Sequence, residues 1–327
     1  MKMALIADIL TSTSLQLEVK TRHITPLNYK TILNFWKPDI LFVESAWQGH
    51  RNRWKYKIAA YPHHLRRNNK RLTRVVAYAK KLGIPTVFWN KEDGAHFDRF
   101  IDSAKLFDHI FTVDENCIPK YREIVDKSVT VNVLMFAIQP SLHHFTGFNF
   151  KYNHTNFVGS YSRHMHEERR KWQNMIFHAV CKSELSLTIY DRNSERRALD
   201  YRYPELDCIK MKSILPYEET GQVFKDYLIS LNVNTIQDSA TMFSRRLVEI
   251  LACGGIVVSN PSLAIERYFK EYCYVVSTES EALELLTRLK NGPSQQDLER
   301  AKAGAVYVAK KHTWTHRLEE IRKVVGI

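Results

Sequence analysis

The order of apolar runs predicts an α/β protein built of two facing, Rossmann-like doubly wound domains. Three observations support this class. Strand-like runs at 4–9, 39–44, 86–90, 109–113 and 129–136 alternate with helical patterns. After a loop at 140–152 the alternation repeats, with strand-like runs at 156–161, 186–190, 208–211, 229–233, 256–259 and 274–276. Strands separated by helices need right-handed crossovers and so form parallel sheets. The length of 327 residues also exceeds one domain of ordinary size. The expected division is an N-terminal domain at 1–145, a C-terminal domain at 152–310, and a closing helix at 311–327 that packs back on the first domain.

The helices follow from apolar periodicity and from start and stop residues. In the first half one opens at Thr25-Pro26, with threonine as cap and proline in the first helical position. Others are expected at about 61–82, 97–106 and 118–125. The second half carries helical patterns at about 167–181, 218–226, 242–253 and 279–290, then 295–311 and 314–325. Hydrophobic residues make up 44% of the chain and aromatics 12%, enough for two packed cores. No run of 18 apolar residues occurs, so no membrane-spanning helix is expected.

Five cysteines (Cys117, Cys181, Cys208, Cys253 and Cys273) are scattered without metal spacing. They predict a reducing compartment and mostly buried thiols. The opening MKMALIADIL enters a strand-like pattern directly, with too short an apolar run for a signal peptide. A soluble, cytoplasmic protein is expected. The net charge of +13 is uneven: residues 1–150 hold 22 Lys and Arg against 13 Asp and Glu. From Ser45 to Asn90 there are 11 basic residues and no acid, and Trp47, Trp54, Tyr56 and Tyr61 lie among them. Such a face either attracts polyanions or an anionic bilayer, or is simply solvated. No zinc finger or RNP pattern accompanies it, so nucleic acid is not expected as a partner.

The most informative stretch is SATMFSRRLVEILACGGIVVSN at 239–260. Arg245 and Arg246 precede Glu249 on a short helical pattern that ends at Gly254-Gly255 before a strand. Unpaired N–H groups at a helix start favour phosphate, guanidinium forks bind it in bidentate fashion, and a carboxylate can hold ribose hydroxyls. Spacing alone leaves this open against an intrahelical ion pair, since Glu249 lies four residues from Arg245 and three from Arg246.

WNKEDGAHFDRF at 89–100, FDHIFTVDENCIPKY at 107–121, FVGSYSRHMHEER at 157–169, the stretch ISLNVNTIQDSATMFSRRLVEILACGGIVVSN at 229–260 and HTWTHRLEEI at 312–321 carry a resemblance. Through them the chain resembles the CgeB-like branch of the group 1 glycosyltransferases, which have the GT-B fold. The likeness covers most of the chain from about Phe88, while the first 85 residues match only loosely. It implies a nucleotide-sugar donor held by the C-terminal domain, an acceptor held mainly by the N-terminal domain, and transfer in the interdomain cleft. The family commonly carries two glutamates eight positions apart. Here Glu249 matches the second and Thr241 stands at the first, which leaves retention or inversion of anomeric configuration undecided.

The resemblance and the residues together select candidate sites. On the donor side Arg245 and Arg246 are expected at the diphosphate, with Ser239 and Thr241 as helix caps and Arg163 in the loop after the first C-terminal strand. Glu249 is the expected ribose ligand. On the acceptor side, ligands of open α/β sheets bind outside the carboxyl ends of strands, which selects Asp8, Glu44, Asp93 and His96. The general base is expected among these four, although Asp93 could instead cap the helix near Phe97. No D-x-D pair, P-loop, H-E-x-x-H, G-x-G-x-x-G or G-x-S-x-G occurs, so no metal and no cofactor is expected. His164 and His166, His63-His64 and His143-His144 are expected to lie in solvated loops.

The expected function is transfer of a sugar from a nucleoside diphosphate sugar, a UDP-sugar among the candidates, to an acceptor hydroxyl. The acceptor is expected to be anionic or lipid-linked, in the synthesis of cell-surface glycan, capsule, teichoic-acid-like polymer or glycoprotein. Peripheral contact with the inner face of the membrane would follow from the charge. The alternative is a catalytically inactive scaffold of the same shape that binds a polyanion.

Overall fold

The computed structural model describes residues 1–327. The chain divides into two compact units, one comprising 1–136 with 314–327 and the other 137–313.

The first unit holds a six-stranded, all-parallel sheet. Its strands are β1 (Lys2–Ile6), β2 (Lys20–His23), β3 (Ile40–Glu44), β4 (Thr86–Asn90), β5 (His109–Thr112) and β6 (Thr130–Val133), in the order β2-β1-β3-β4-β5-β6. The strands β3 and β4 are buried along their whole length, as expected when helices cover both faces of a sheet. The edge strand β2, Lys-Thr-Arg-His, has no apolar residue and gave no periodic signal. The helices are α1 (Ile9–Gln16), a short turn α2 (Tyr29–Thr31) running into a π-helical segment at Ile32–Trp36, α3 (Lys70–Lys81), α4 (Phe97–Ala104) and α5 (Ile118–Ile124).

Two expected helices of the first unit differ from the structure. The one placed at Thr25-Pro26 starts only at Tyr29. Thr25 Oγ1 accepts the N–H groups of Leu27 and Asn28, and Asn28 Oδ1 accepts that of Thr25, so side chains hold these residues in a turn. The helix expected over 61–82 covers only its second half. Residues 61–69 form turns, and Asn68 Oδ1 accepts the N–H of Lys70 at the helix start.

The second unit repeats the plan. Its strands are β7 (Tyr152–Gly159), β8 (Leu187–Asp191), β9 (Ile209–Lys212), β10 (Tyr227–Asn232), β11 (Ile256–Ser259) and β12 (Tyr274–Val275), all parallel in the order β12-β11-β10-β7-β8-β9. The helices are α6 (Glu167–Lys182), α7 (Thr220–Asp226), α8 (Arg245–Ala252), α9 (Leu263–Tyr268), α10 (Glu279–Lys290) and α11 (Gln295–Lys311). Each sheet therefore reverses its strand order once, between β1 and β3 in the first and between β7 and β10 in the second. Ligands of open parallel sheets bind outside the carboxyl ends of the strands at such a reversal.

The last helix, α12 (Trp314–Val325), belongs to the first unit. Trp314 is buried and meets the Trp89 ring edge-on at 5.3 Å. Arg317, 1% exposed, donates through Nε to Met135 O at 2.8 Å. No helix is long and apolar enough to cross a membrane.

The cysteines differ from expectation. Cys117, Cys253 and Cys273 are buried thiols, but Cys181 and Cys208 form a disulfide with Cα atoms 5.4 Å apart. The sheet closes their 27-residue separation. Cys181 lies near the end of α6, and Cys208 O accepts the N–H of Leu187 where β8 begins. Spacing along the chain held no trace of that register.

Candidate functional site

The switch point of the second sheet gathers positive charge. Gly159 ends β7 next to Ser160, and α8 approaches from the loop after β10. A Cβ at Gly159 would stand 2.5 Å from the Phe157 ring and 3.1 Å from Arg246 Nη1, so only glycine admits this guanidinium. Arg246 lies over the Phe157 ring at 4.4 Å. Its Nε and Nη1 are buried and have no hydrogen-bond partner. Burial, and then the neighbouring Arg169 and Arg192, push its pKa down to about 9.

Arg169, in the first turn of α6, donates to Ser160 O at 2.9 Å and to Thr235 Oγ1 at 3.2 Å, while its buried Nε has no partner. Burial and Arg192 lower its pKa as well. Like charges sequestered in this way are costly unless a counter-anion joins them. Neither Arg169 nor Arg192 stood among the sequence candidates. Arg192 follows directly on β8, where the strand-end rule applies. Arg169 occupies a helix first turn, a place where the dipole disfavours a cation.

Asparagines hold this loop geometry. Asn234 Oδ1 accepts the N–H of Ser244, the residue before α8, at 2.7 Å, and Asn260 Oδ1 accepts the N–H of Asn234 at 2.7 Å. The helix starts at Arg245 rather than at the expected 242. Ser239 accepts the N–H groups of Thr241 and Met242, so it caps the turn before α8 and not the helix itself. Thr241 is buried beside it.

The two arginines of the SRR stretch diverge. Arg245 Nε lies 3.2 Å from Glu249 Oε1, forming the intrahelical pair that the spacing left open, and its guanidinium stands over the Tyr217 ring. The Tyr217 hydroxyl donates to the same oxygen at 2.8 Å, and Glu249 is 5% exposed. His143, expected in a solvated loop, is fully buried and its Nε2 meets Thr220 Oγ1 at 2.8 Å. Its segment packs so closely on α7 that a Cβ at Gly221 would lie 2.2 Å from Leu142 O. Arg163 is exposed, with Nε donating to Arg202 O at 3.2 Å, on the wall of a cavity of about 970 Å³ shared with Asp191, Arg202 and Tyr203.

The first sheet gathers carboxylates at its own switch point. Glu44 ends β3 with no exposure, and Lys91 Nζ lies 3.0 Å from Glu44 Oε1 and 3.6 Å from Asp8 Oδ2. The Asp8 carboxylate accepts the backbone N–H groups of Trp47, Gln48 and Gly49 at 2.7–3.0 Å. Burial opposes its ionisation, but Lys91 and these three donors outweigh it and lower the pKa. Burial raises the pKa of Glu44, with Asp8 adding to the shift and Lys91 opposing it.

Asp93, expected in an open loop or as a helix cap, does neither. It is fully buried, accepting from Asn90 Nδ2 at 2.6 Å and from the Tyr121 hydroxyl. Burial pushes its pKa up to about 7 despite those hydrogen bonds. His96 occupies the position before α4 without capping it, half-exposed, with its ring edge-on to Trp47 at 5.4 Å.

Two doubly wound parallel sheets, one with a cluster of largely buried guanidinium groups at its switch point, define a Rossmann-type α/β architecture. A family model described as glycosyl transferase-like matches residues 156–323, just over half of the chain, and the chain belongs to that family, the group 1 glycosyltransferases of GT-B fold. Among solved structures, Anabaena HepE in complex with UDP and glucose matches at 12% identity and a TM-score of 0.58, covering 99% of this chain and 91% of its own. Sucrose-phosphate synthase of Thermosynechococcus elongatus matches at 9% identity and 0.56, covering 90% and 75%. A UDP-forming trehalose-phosphate synthase from Burkholderia xenovorans matches at 12% and 0.53, covering 92% and 78%. At such identities the likeness establishes the fold. No curated protein matches the chain.

Proposed function

We propose that the chain is a metal-independent hexosyltransferase of the CgeB-like branch, taking its sugar from a nucleoside diphosphate donor, UDP-sugars first. The supporting observation is the guanidinium cluster, in which Arg246 keeps two buried nitrogens unpartnered beside Arg169 and Arg192. A diphosphate would satisfy those donors and relieve the repulsion. The complexes of HepE with UDP and with UDP-glucose, on a similar fold, favour the same donor.

In this reading the bond from the anomeric carbon to the diphosphate oxygen breaks, and the oxygen leaves with the electron pair. The three guanidinium groups stabilise the charge that develops there, a task that a metal ion performs elsewhere. Glu249, oriented by Tyr217 and Arg245, receives the ribose hydroxyls, and Arg163 borders the donor on the β8 side. The acceptor hydroxyl bonds to the anomeric carbon and gives up its proton on the first unit. His96 is the accessible proton acceptor there, and Asp8, held ionised by Lys91, orients the hydroxyl. Glu44 fixes Lys91, and the buried Asp93 holds the loop at 91–96.

The basic block around Arg51–Arg74 supports an anionic acceptor of the cell envelope and a station on the cytoplasmic face of the membrane. The test is nucleotide release and binding across UDP-, GDP-, CDP- and dTDP-sugars. Turnover with one of them is expected, and failure to bind any nucleotide would overturn the proposal in favour of a polyanion-binding scaffold.

A further inference from the structure

A second concentration of positive charge lies on the first unit, between the end of β2 and the loop after β3. There a cavity of about 640 Å³ is walled by His23, His50, Arg51, Arg53, Lys57 and Arg71, with no acid in its lining. None of the four permanent cations takes part in an ion pair. The chain has no acidic residue from 45 to 91, so the protein supplies no nearby counter-charge in sequence. Burial, then Arg71 and Arg53, lower the pKa of Lys57. The same cause, with His50 and Arg51, brings His23 down to about 4.

The backbone is bent to build this wall. Gly49 has φ 64°, and the non-glycine residues Arg51 and Asn52 follow at φ 52° and 59°, in the left-handed region that side chains disfavour. A Cβ at Gly49 would meet Trp54 Cβ at 2.7 Å. Trp54 is fully buried and its Nε1 donates to Ile24 O at 2.7 Å, tying the loop to the residue after β2. From the other side the Asp8 carboxylate takes the N–H of Gly49 at 2.7 Å. The His23 and His50 rings stack at 3.9 Å, and the Gln16 amide meets His23 Nε2 at 2.8 Å. His23 Nδ1 is thereby left buried without a partner. A rigid, strained wall that displays three guanidinium groups and an ammonium over a small volume suits a compact phosphate anion, since guanidinium forks match phosphate oxygens.

We infer that this cavity binds a phosphate ester carried by the acceptor, close to the hydroxyl that receives the sugar. The inference rests on the transferase proposed above, because Asp8 joins the cavity wall to the proposed acceptor site. Its ligand chemistry is a phosphomonoester or phosphodiester, from either a soluble polyol phosphate or a lipid headgroup.

Titration calorimetry with glycerol 3-phosphate, and sedimentation with phosphatidylglycerol vesicles, distinguish these sources. Two variants of equal charge loss are compared with the wild type: Arg51→Gln/Arg53→Gln/Arg71→Gln in the cavity and Lys81→Gln/Lys127→Gln/Lys323→Gln, all exposed, away from it. Saturable binding of at least one probe is expected, at least about tenfold weaker in the cavity variant and close to wild type in the other. Equal weakening in both variants would reduce the effect to diffuse charge and overturn the inference, as would no binding of either probe. UDP affinity is measured in parallel on the same proteins. If UDP fails to bind while the phosphate ester binds through the cavity, the donor proposal falls and the cavity remains.

Discussion

Arg246 and Asp93 show how one buried ionisable side chain can oppose stability. Arg246 carries a charge among like charges with two unsatisfied nitrogens. Replacement by methionine, of similar length and no charge, should raise the midpoint of urea unfolding without ligand, by about 1–2 kcal/mol of stability. The same variant should bind UDP at least about tenfold more weakly. Loss of stability together with unchanged nucleotide affinity would remove Arg246 from the donor site. Asp93 opposes stability through pH. Its native pKa of about 7 stands above the ordinary 3.8. Between those values the folded chain keeps a proton that the unfolded chain has released. The contribution is fully present below about pH 4 and is lost as pH rises through 7, on the order of 2–4 kcal/mol at full extent. Asp93→Asn should flatten the fall in unfolding free energy between pH 4 and 8. An unchanged slope would show that another group controls it.

At the scale of elements, α8 owes its placement to Asn234, which accepts the N–H of Ser244 while bonded to Asn260. Asn234→Ala leaves the half-buried N–H of Ser244 without this partner and should cost about 1 kcal/mol in urea unfolding. It should also weaken UDP binding, because Arg246 rides on the same helix. Full stability with full affinity would mean that the loop holds itself. Much of this was legible in the sequence. The strands β3, β4 and β11 contain continuous apolar runs, and α10, α11 and α12 lie where periodicity put them. The edge strand β2 was silent because neither of its faces is apolar. The start of α8 was placed three residues early because Ser239 caps a turn that resembles a helix start. Of the guanidinium cluster, Arg246 was legible from its motif. Arg169 and Arg192 converge on it only through the pairing of β7 with β8 and the packing of α6, which no local pattern encodes. The burial of Asp93 and His143 depended likewise on partners distant in sequence.

At the scale of the whole molecule, the first unit is completed by residues that follow the second in the chain. Trp314 packs on Trp89, and Arg317 donates to the carbonyls of Met135 and Phe136. Trp314→Ala should therefore destabilise the first unit, by about 3–5 kcal/mol for an aromatic ring removed from a core. Limited proteolysis during a thermal ramp should cut within 1–136 before it cuts within 137–313. Simultaneous cleavage of both units, at the wild-type temperature, would refute this. The discontinuity also bears on synthesis at the ribosome. Residues 137–313 can all emerge and fold while the parallel sheet before them still lacks α12. The earlier half would then wait with the Trp89 face uncovered, open to chaperones, until the last helix leaves the exit tunnel.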